Sequence, residues 1–200
     1  MVATFLQTSG LIVGYDLALS LVEDLALSPG KPIRIAGPNG VGKTTFFRTL
    51  TGTLNPFAGH LTVNKESICF APSPHGLPLN VTCKEVLKEW ATLSGADPSE
   101  VGDIASHLGL SPIYDVPVSQ LSQGQKRRLA LARVFSSDAD ILLLDEPFSG
   151  LDHKYGTIVE MELIRRANQQ LLLYIAHDRA IGESQEVVLR PYRTQDAPSV

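Results

Sequence analysis

The run Gly37-Pro38-Asn39-Gly40-Val41-Gly42-Lys43-Thr44-Thr45 constrains this chain more than any other stretch. It matches the phosphate-loop pattern G-x-x-x-x-G-K-[ST] at every fixed position, a pattern that sits between a strand and a helix. Pro32–Ala36 reads as the strand, and Thr44 to about Thr53 as the helix, with Phe46, Phe47 and Leu50 inward and Gly52 and Pro56 ending it. Gly37, Gly40 and Gly42 let the backbone bend so that successive N–H groups face one concavity. The helix start adds the positive end of its dipole. Lys43 supplies a point charge for the β- and γ-phosphates, and the Thr44 hydroxyl is a hard oxygen ligand for Mg²⁺. A Gly-rich turn matches this pattern by accident in roughly one chain of this length in a hundred. The loop therefore predicts nucleoside triphosphate binding, with residues 37–45 as the cradle.

Two hundred residues suit one domain with a full core. A net charge of −4 gives no general attraction to nucleic acid. Cys69 and Cys83 lack metal-site spacing and read as free, buried thiols in a reducing compartment. The start of the chain has no basic region followed by a cleavage site, so no secretory leader is expected. No apolar run approaches the roughly 20 residues that span a bilayer.

Residues 2–36 carry short apolar runs, Phe5-Leu6, Leu11–Val13 and Leu17–Leu27, broken by Gly10, Gly14 and Pro29-Gly30; these predict a β-rich entry layer. Leu61–Val63 and Ile68–Phe70 are further strand candidates, and Pro72–Pro78 marks a loop. Helical periodicity covers 82–95, with Thr82 and Glu85 as a capping box, then 98–109 with a poorer Ser99 cap, then Gln123–Ser136. Ile141–Leu144 and Leu171–Ala176 read as strands buried on both faces, Thr157–Asn168 as a helix, and Glu186–Leu189 as a last strand. The alternation predicts an α/β domain over 1–200, with an antiparallel N-terminal β layer and a helical subdomain inserted at about 74–136.

A second motif, Ile141-Leu142-Leu143-Leu144-Asp145-Glu146, ends a buried strand in two carboxylates. Open α/β sheets place ligands at that end. Asp145 suits the Mg²⁺ site and Glu146 suits a general base for attacking water. A third, Leu121-Ser122-Gln123-Gly124-Gln125, opens a helix whose Ser cap and Gly form an anion-friendly N-terminus.

In this order the motifs resemble those of ABC-type ATPases, with Leu121–Gln125 in place of the usual LSGGQ signature. The resemblance implies a P-loop NTPase fold and a head-to-tail dimer, homo- or heterodimeric, in which Ser122, Gly124 and Gln125 cap the γ-phosphate held by the other subunit. It further implies a D-loop at Ser149-Gly150-Leu151-Asp152, with Asp152 at the dimer interface, and a switch histidine at His177 beside the γ-phosphate. Tyr15, 22 residues before Gly37, matches an adenine-stacking aromatic. Lys43, Glu146 and His177 are the implied catalytic residues, Thr44 and Asp145 the metal ligands, and ATP and Mg²⁺ the ligands. Separate transmembrane permease subunits are the implied partners, with the chain peripheral on the cytoplasmic side of the membrane and no nucleic acid.

One departure stands out. The family's loop Gln falls at Ser73, and no Gln occurs between Gln7 and Gln120 to replace it. A water or His75 is then expected to fill its role, with altered coupling or slower hydrolysis. Lys126-Arg127-Arg128 reads as a solvated or intradomain basic run, not a DNA patch. Pro117–Arg133 resembles the ATPase subunits of cytochrome c maturation (haem exporter) systems. Soluble ABC ATPases of iron–sulfur assembly and ATPases of other small-substrate exporters stay open. The short stretch from Lys43 to Leu121, with no sustained heptads, argues strongly against DNA-repair members.

Overall fold

The strand Ile141–Asp145 (β7) divides the interior in two, because every one of its residues is buried. Ile141 and Leu143 face one apolar cluster, whereas Leu142 and Leu144 face the other. A strand covered on both faces cannot alternate apolar with polar, which explains its unbroken aliphatic run. The computed structural model describes residues 4–73 and 76–193. His75 and the first part of the expected 74–136 insertion lie outside the described residues.

Five strands build the parallel sheet in the order β6 (Ile68–Ala71), β7, β8 (Leu171–Ile175), β4 (Ile33–Ala36) and β9 (Gln185–Val188). One face packs on an antiparallel sheet. There β1 (Leu6–Gly14) pairs with β2 (Ala18–Leu21) and β3 (Leu25–Leu27) on one edge and β5 (Ala58–Val63) on the other, while β10 (Arg190–Pro191) extends β2. Leu6, Leu11 and Val13 meet Ile33, Ile35, Ile141 and Leu143 in this cluster. Helix α1 (Lys43–Leu50) belongs to it too, with Phe46, Phe47 and Leu50 all fully buried as its periodicity requires. The other face carries α2 (Cys83–Ser94), α3 (Pro98–His107), α4 (Gln123–Phe135) and α5 (His153–Ala167). The α/β class and the antiparallel N-terminal layer are therefore present as expected.

Several local readings need correction. Gly10 does not end a strand: β1 runs through it, with a register irregularity between Ser9 and Ile12 against β5. Leu17–Leu27 splits into two strands. The cap of α3 is Asp97, not Ser99; Asp97 Oδ1 accepts from the Ser99 amide at 2.8 Å, and Pro98 takes the first helical position, where no N–H is needed. Helix α5 starts four residues before the expected Thr157, because Asp152 caps it by accepting from the Tyr155 amide at 2.9 Å. The Thr82–Glu85 capping box is present, with Thr82 N–H donating to Glu85 Oε2 at 2.7 Å. Cys69 and Cys83 are free and buried.

Candidate functional site

Strands β4, β7 and β8 end side by side, and the loops leaving them enclose a cavity of about 450 Å³. From the phosphate loop it takes Asn39, Gly40, Gly42, Lys43, Thr44 and Thr45. From the ends of β7 and β8 come Asp145, Glu146, Ile175 and His177, and Ser73 and Leu19 close the sides. Ser73 thus stands at the cavity wall. Leu19 and Ile175 are apolar residues that no motif marks. A larger groove of about 780 Å³ between α3 and α5 contains none of the predicted site residues.

The loop holds its shape through glycine geometry and close packing. At Gly37, with φ of 142°, a Cβ would stand 2.8 Å from the Leu189 carbonyl oxygen. The Lys43 ammonium donates to the carbonyls of Gly37 and Pro38 at 2.8 and 3.1 Å, so it is folded into the loop it belongs to. Thr44 Oγ1 donates to Asp145 Oδ2 at 2.9 Å, which brings the two predicted metal ligands together.

Burial pushes the Asp145 carboxyl above its ordinary range, against the pull of the Thr44 hydroxyl, Arg127, His177 and Lys43. Burial likewise raises Glu146, with neighbouring His177 opposing it. Glu146 is the one non-glycine residue with positive φ among the described residues, at 54°. Its amide is tied to the Ile175 carbonyl at 2.9 Å, so the turn is anchored to β8. His177 Nε2 lies 3.4 Å from Glu146 Oε1, a close approach that falls short of a good hydrogen bond.

Ser122 and Gln125 form a capping box at the start of α4: the Gln125 amide donates to Ser122 Oγ at 3.2 Å and the Ser122 amide to Gln125 Oε1 at 2.7 Å. A Cβ on Gly124 would stand 2.3 Å from the Gly150 carbonyl, so the helix start rests directly on the loop after Glu146. Ser122, Gly124, Gln125, Asp152 and Tyr15 do not line the cavity. The Tyr15 hydroxyl instead accepts from Arg48 on α1 at 2.7 Å.

Arg127 and Arg128 of the basic run turn toward the domain itself. Arg128 donates to the carbonyls of Leu108 and Gly109 at 2.6 and 3.1 Å. Arg127 is fully buried, and none of its guanidinium nitrogens has a hydrogen-bond partner among the described residues. Burial pushes its pKa down to about 10, with Asp145 and Glu146 pulling the other way. In the sequence these residues form one run, with no sign that Arg127 turns inward behind the carboxylates.

The family model described as "ABC transporter" matches residues 23–149. The chain is 34% identical over 191 residues to the cytochrome c biogenesis ATP-binding export protein CcmA of Ruegeria pomeroyi, covering 92% of this chain and 93% of that one. It is 32% identical over 173 residues to the protein of the same name from Cereibacter sphaeroides, covering 84% and 80%. A solved bacterial Atm1-family ABC exporter with ATP bound shares the fold, with a TM-score of 0.81 over 95% of this chain and 38% of that one, at 23% identity.

Proposed function

This chain belongs to the ABC transporter family, and we propose that it is the ATP-hydrolysing subunit of an export system for cytochrome c biogenesis, of the haem exporter type. It binds and hydrolyses ATP, as the family does. The export reading comes from the names of its relatives. The chemical reading is carried by one observation: the phosphate loop, Asp145, Glu146, His177 and Ser73 converge on a single cavity.

Thr44 and Asp145 offer Mg²⁺ two hard oxygens already in contact. Mg²⁺ is commonly held through one or two protein oxygens together with substrate phosphates and water, and this pair would fit that pattern. When bound, the ion neutralises phosphate charge. Phosphoryl transfer then depends on positioning and charge stabilisation by the chain. Residues 37–45 hold the phosphates through their amides, and Lys43 adds its charge. Glu146 takes a proton from the attacking water, and His177, next to it, holds that water against the γ-phosphate. The capping group Ser122, Gly124 and Gln125 stands apart from this cavity, which fits a role at the site of a second copy in an ATP-bound dimer. Asp152 lies at the same interface. Tyr15 is the proposed adenine contact.

No helix among the described residues is long and apolar enough to cross a membrane. By the export role of the relatives, separate permease subunits carry the membrane path in this reading, with this chain bound peripherally on the cytoplasmic side. The test is to tag the Glu146→Gln variant, extract native membranes in mild detergent with MgATP, and identify what co-purifies. Polytopic membrane proteins are expected. Soluble proteins alone, with the ATP-bound dimer demonstrably formed, would overturn the export reading and favour a soluble ABC ATPase such as that of iron–sulfur assembly.

A further inference from the structure

Arg34 lies on β4, three residues before Gly37, and lines no part of the cavity. Its strand has two different edges. Against β9 the parallel pairing continues to Ala36–Val188, whereas against β8 it stops at Arg34–Tyr174. Strands β4 and β8 therefore separate just before the phosphate loop and the histidine begin. Main-chain carbonyls exposed by such a gap need another donor.

The Arg34 guanidinium fills the gap. Its Nε and Nη2 donate to the Ala176 carbonyl at 3.2 and 2.9 Å, and Nη2 also donates to the His177 carbonyl at 2.8 Å. From the other edge, Glu186 on β9 approaches Nη1 at 3.8 Å. The planar fork of an arginine suits this double grip, and an ammonium does not reproduce it. A sheet of this kind would otherwise be free to shift at the residue that approaches Glu146.

We propose that Arg34 is the positioning residue of His177: it replaces the missing strand ladder with side-chain hydrogen bonds and so fixes the main chain from which the imidazole reaches the cavity. The inference rests on the role given to His177 above. A purely structural Arg34 would cost stability and nothing specific to that histidine.

The test compares the steady-state ATP turnover of the wild type, Arg34→Gln, Arg34→Lys, His177→Ala and the Arg34→Gln/His177→Ala double variant. Thermal unfolding and hydrogen exchange of the 176–179 segment are measured on each. Loss of charge-assisted hydrogen bonds should lower kcat of Arg34→Gln about tenfold, with KM for ATP within about twofold, and should speed exchange in that segment by about the same factor. Arg34→Lys should recover part of kcat. The double variant should turn over no more slowly than His177→Ala alone, because a residue that acts through another adds nothing once the other is gone. Wild-type kcat in Arg34→Gln, or effects that multiply in the double variant, would overturn the inference and leave the role of His177 intact. Wild-type kcat in His177→Ala would overturn both. Should Arg34→Gln not fold, Arg34→Lys combined with His177→Ala gives the same comparison.

Discussion

Thr44 and Asp145, 101 positions apart in the chain, meet through a 2.9 Å hydrogen bond in which the threonine hydroxyl donates. Thr44 is in the first turn of α1 and Asp145 is the last residue of β7, so the bond ties the phosphate loop to a strand two places away in the sheet. Asp145 is 5% exposed, and burial already works against its charge. Removing the hydroxyl leaves a buried carboxylate short of a donor, at a cost of about 1–3 kcal/mol. Thr44→Val should therefore lower the urea midpoint and stop ATP turnover. Thr44→Ser, which keeps the hydroxyl, should stay close to wild type in both measurements.

Glu146 pairs a proposed catalytic role with a left-handed backbone, φ 54°. That region costs a non-glycine residue about 1–2 kcal/mol, and such strain is tolerated where the surroundings fix the geometry. Glycine at this position removes both the strain and the carboxylate. Glu146→Gly should raise unfolding stability by about 1 kcal/mol while ATP turnover drops about 10²–10⁴-fold. Glu146→Ala should lose turnover equally with no gain in stability, which separates the two effects.

What could be read ahead of the fold follows from how local each signal is. The phosphate loop, the β7 aliphatic run and the Thr82–Glu85 box are each encoded within a few residues, and each is found where expected. The start of α5 is missed because its first turn contains Gly156, a poor helix residue on propensity alone. In the fold a Cβ there would stand 2.7 Å from the Arg179 guanidinium, the far end of a flexible side chain that can move aside, so the helix continues through the glycine. Arg34 and Arg127 carry no local pattern at all. Their roles arise from a strand pair that stops early and from a helix face turned inward, and both are tertiary facts.

Ser73 lines the cavity beside Asp145, Glu146 and His177. A serine does not reach as far as a glutamine, so a water or His75 is expected to take over the contact. Ser73→Gln should raise steady-state ATP turnover several-fold with ATP affinity unchanged. A slower variant would mean that the chain's own arrangement is tuned to serine.

Glu160 on α5 pairs with Arg179, whose guanidinium also stacks on Phe148 at 4.4 Å. Arg179, assisted by the Gly182 amide, holds the Glu160 carboxyl below its ordinary range. A lowered folded-state pKa stabilises above the unfolded value, and that share is lost as pH falls through the folded one. Both side chains are partly exposed, so the contribution is below about 1 kcal/mol. Glu160→Gln should lower the urea midpoint slightly at neutral pH. The difference from wild type should close as pH falls below about 4.

Arg127 sets two opposing effects against each other. Its guanidinium is buried without a hydrogen-bond partner among the described residues, and it feels Asp145 and Glu146 only through space. Because its pKa is pushed down to about 10, desolvation outweighs that attraction, by on the order of 3 kcal/mol. Buried charges of this kind are often replaced by apolar side chains of similar volume with no loss of stability, or with a gain. Arg127→Met should accordingly raise the urea midpoint, by about 1–3 kcal/mol of unfolding free energy. Arg127→Ala should lower it, because the vacated volume sits in packed core beside α4 and β7. Turnover should fall in both variants, since each leaves Asp145 and Glu146 without the cation behind them. A methionine variant that is less stable than wild type would show that the charge, and not the side-chain volume, holds this part of the fold together.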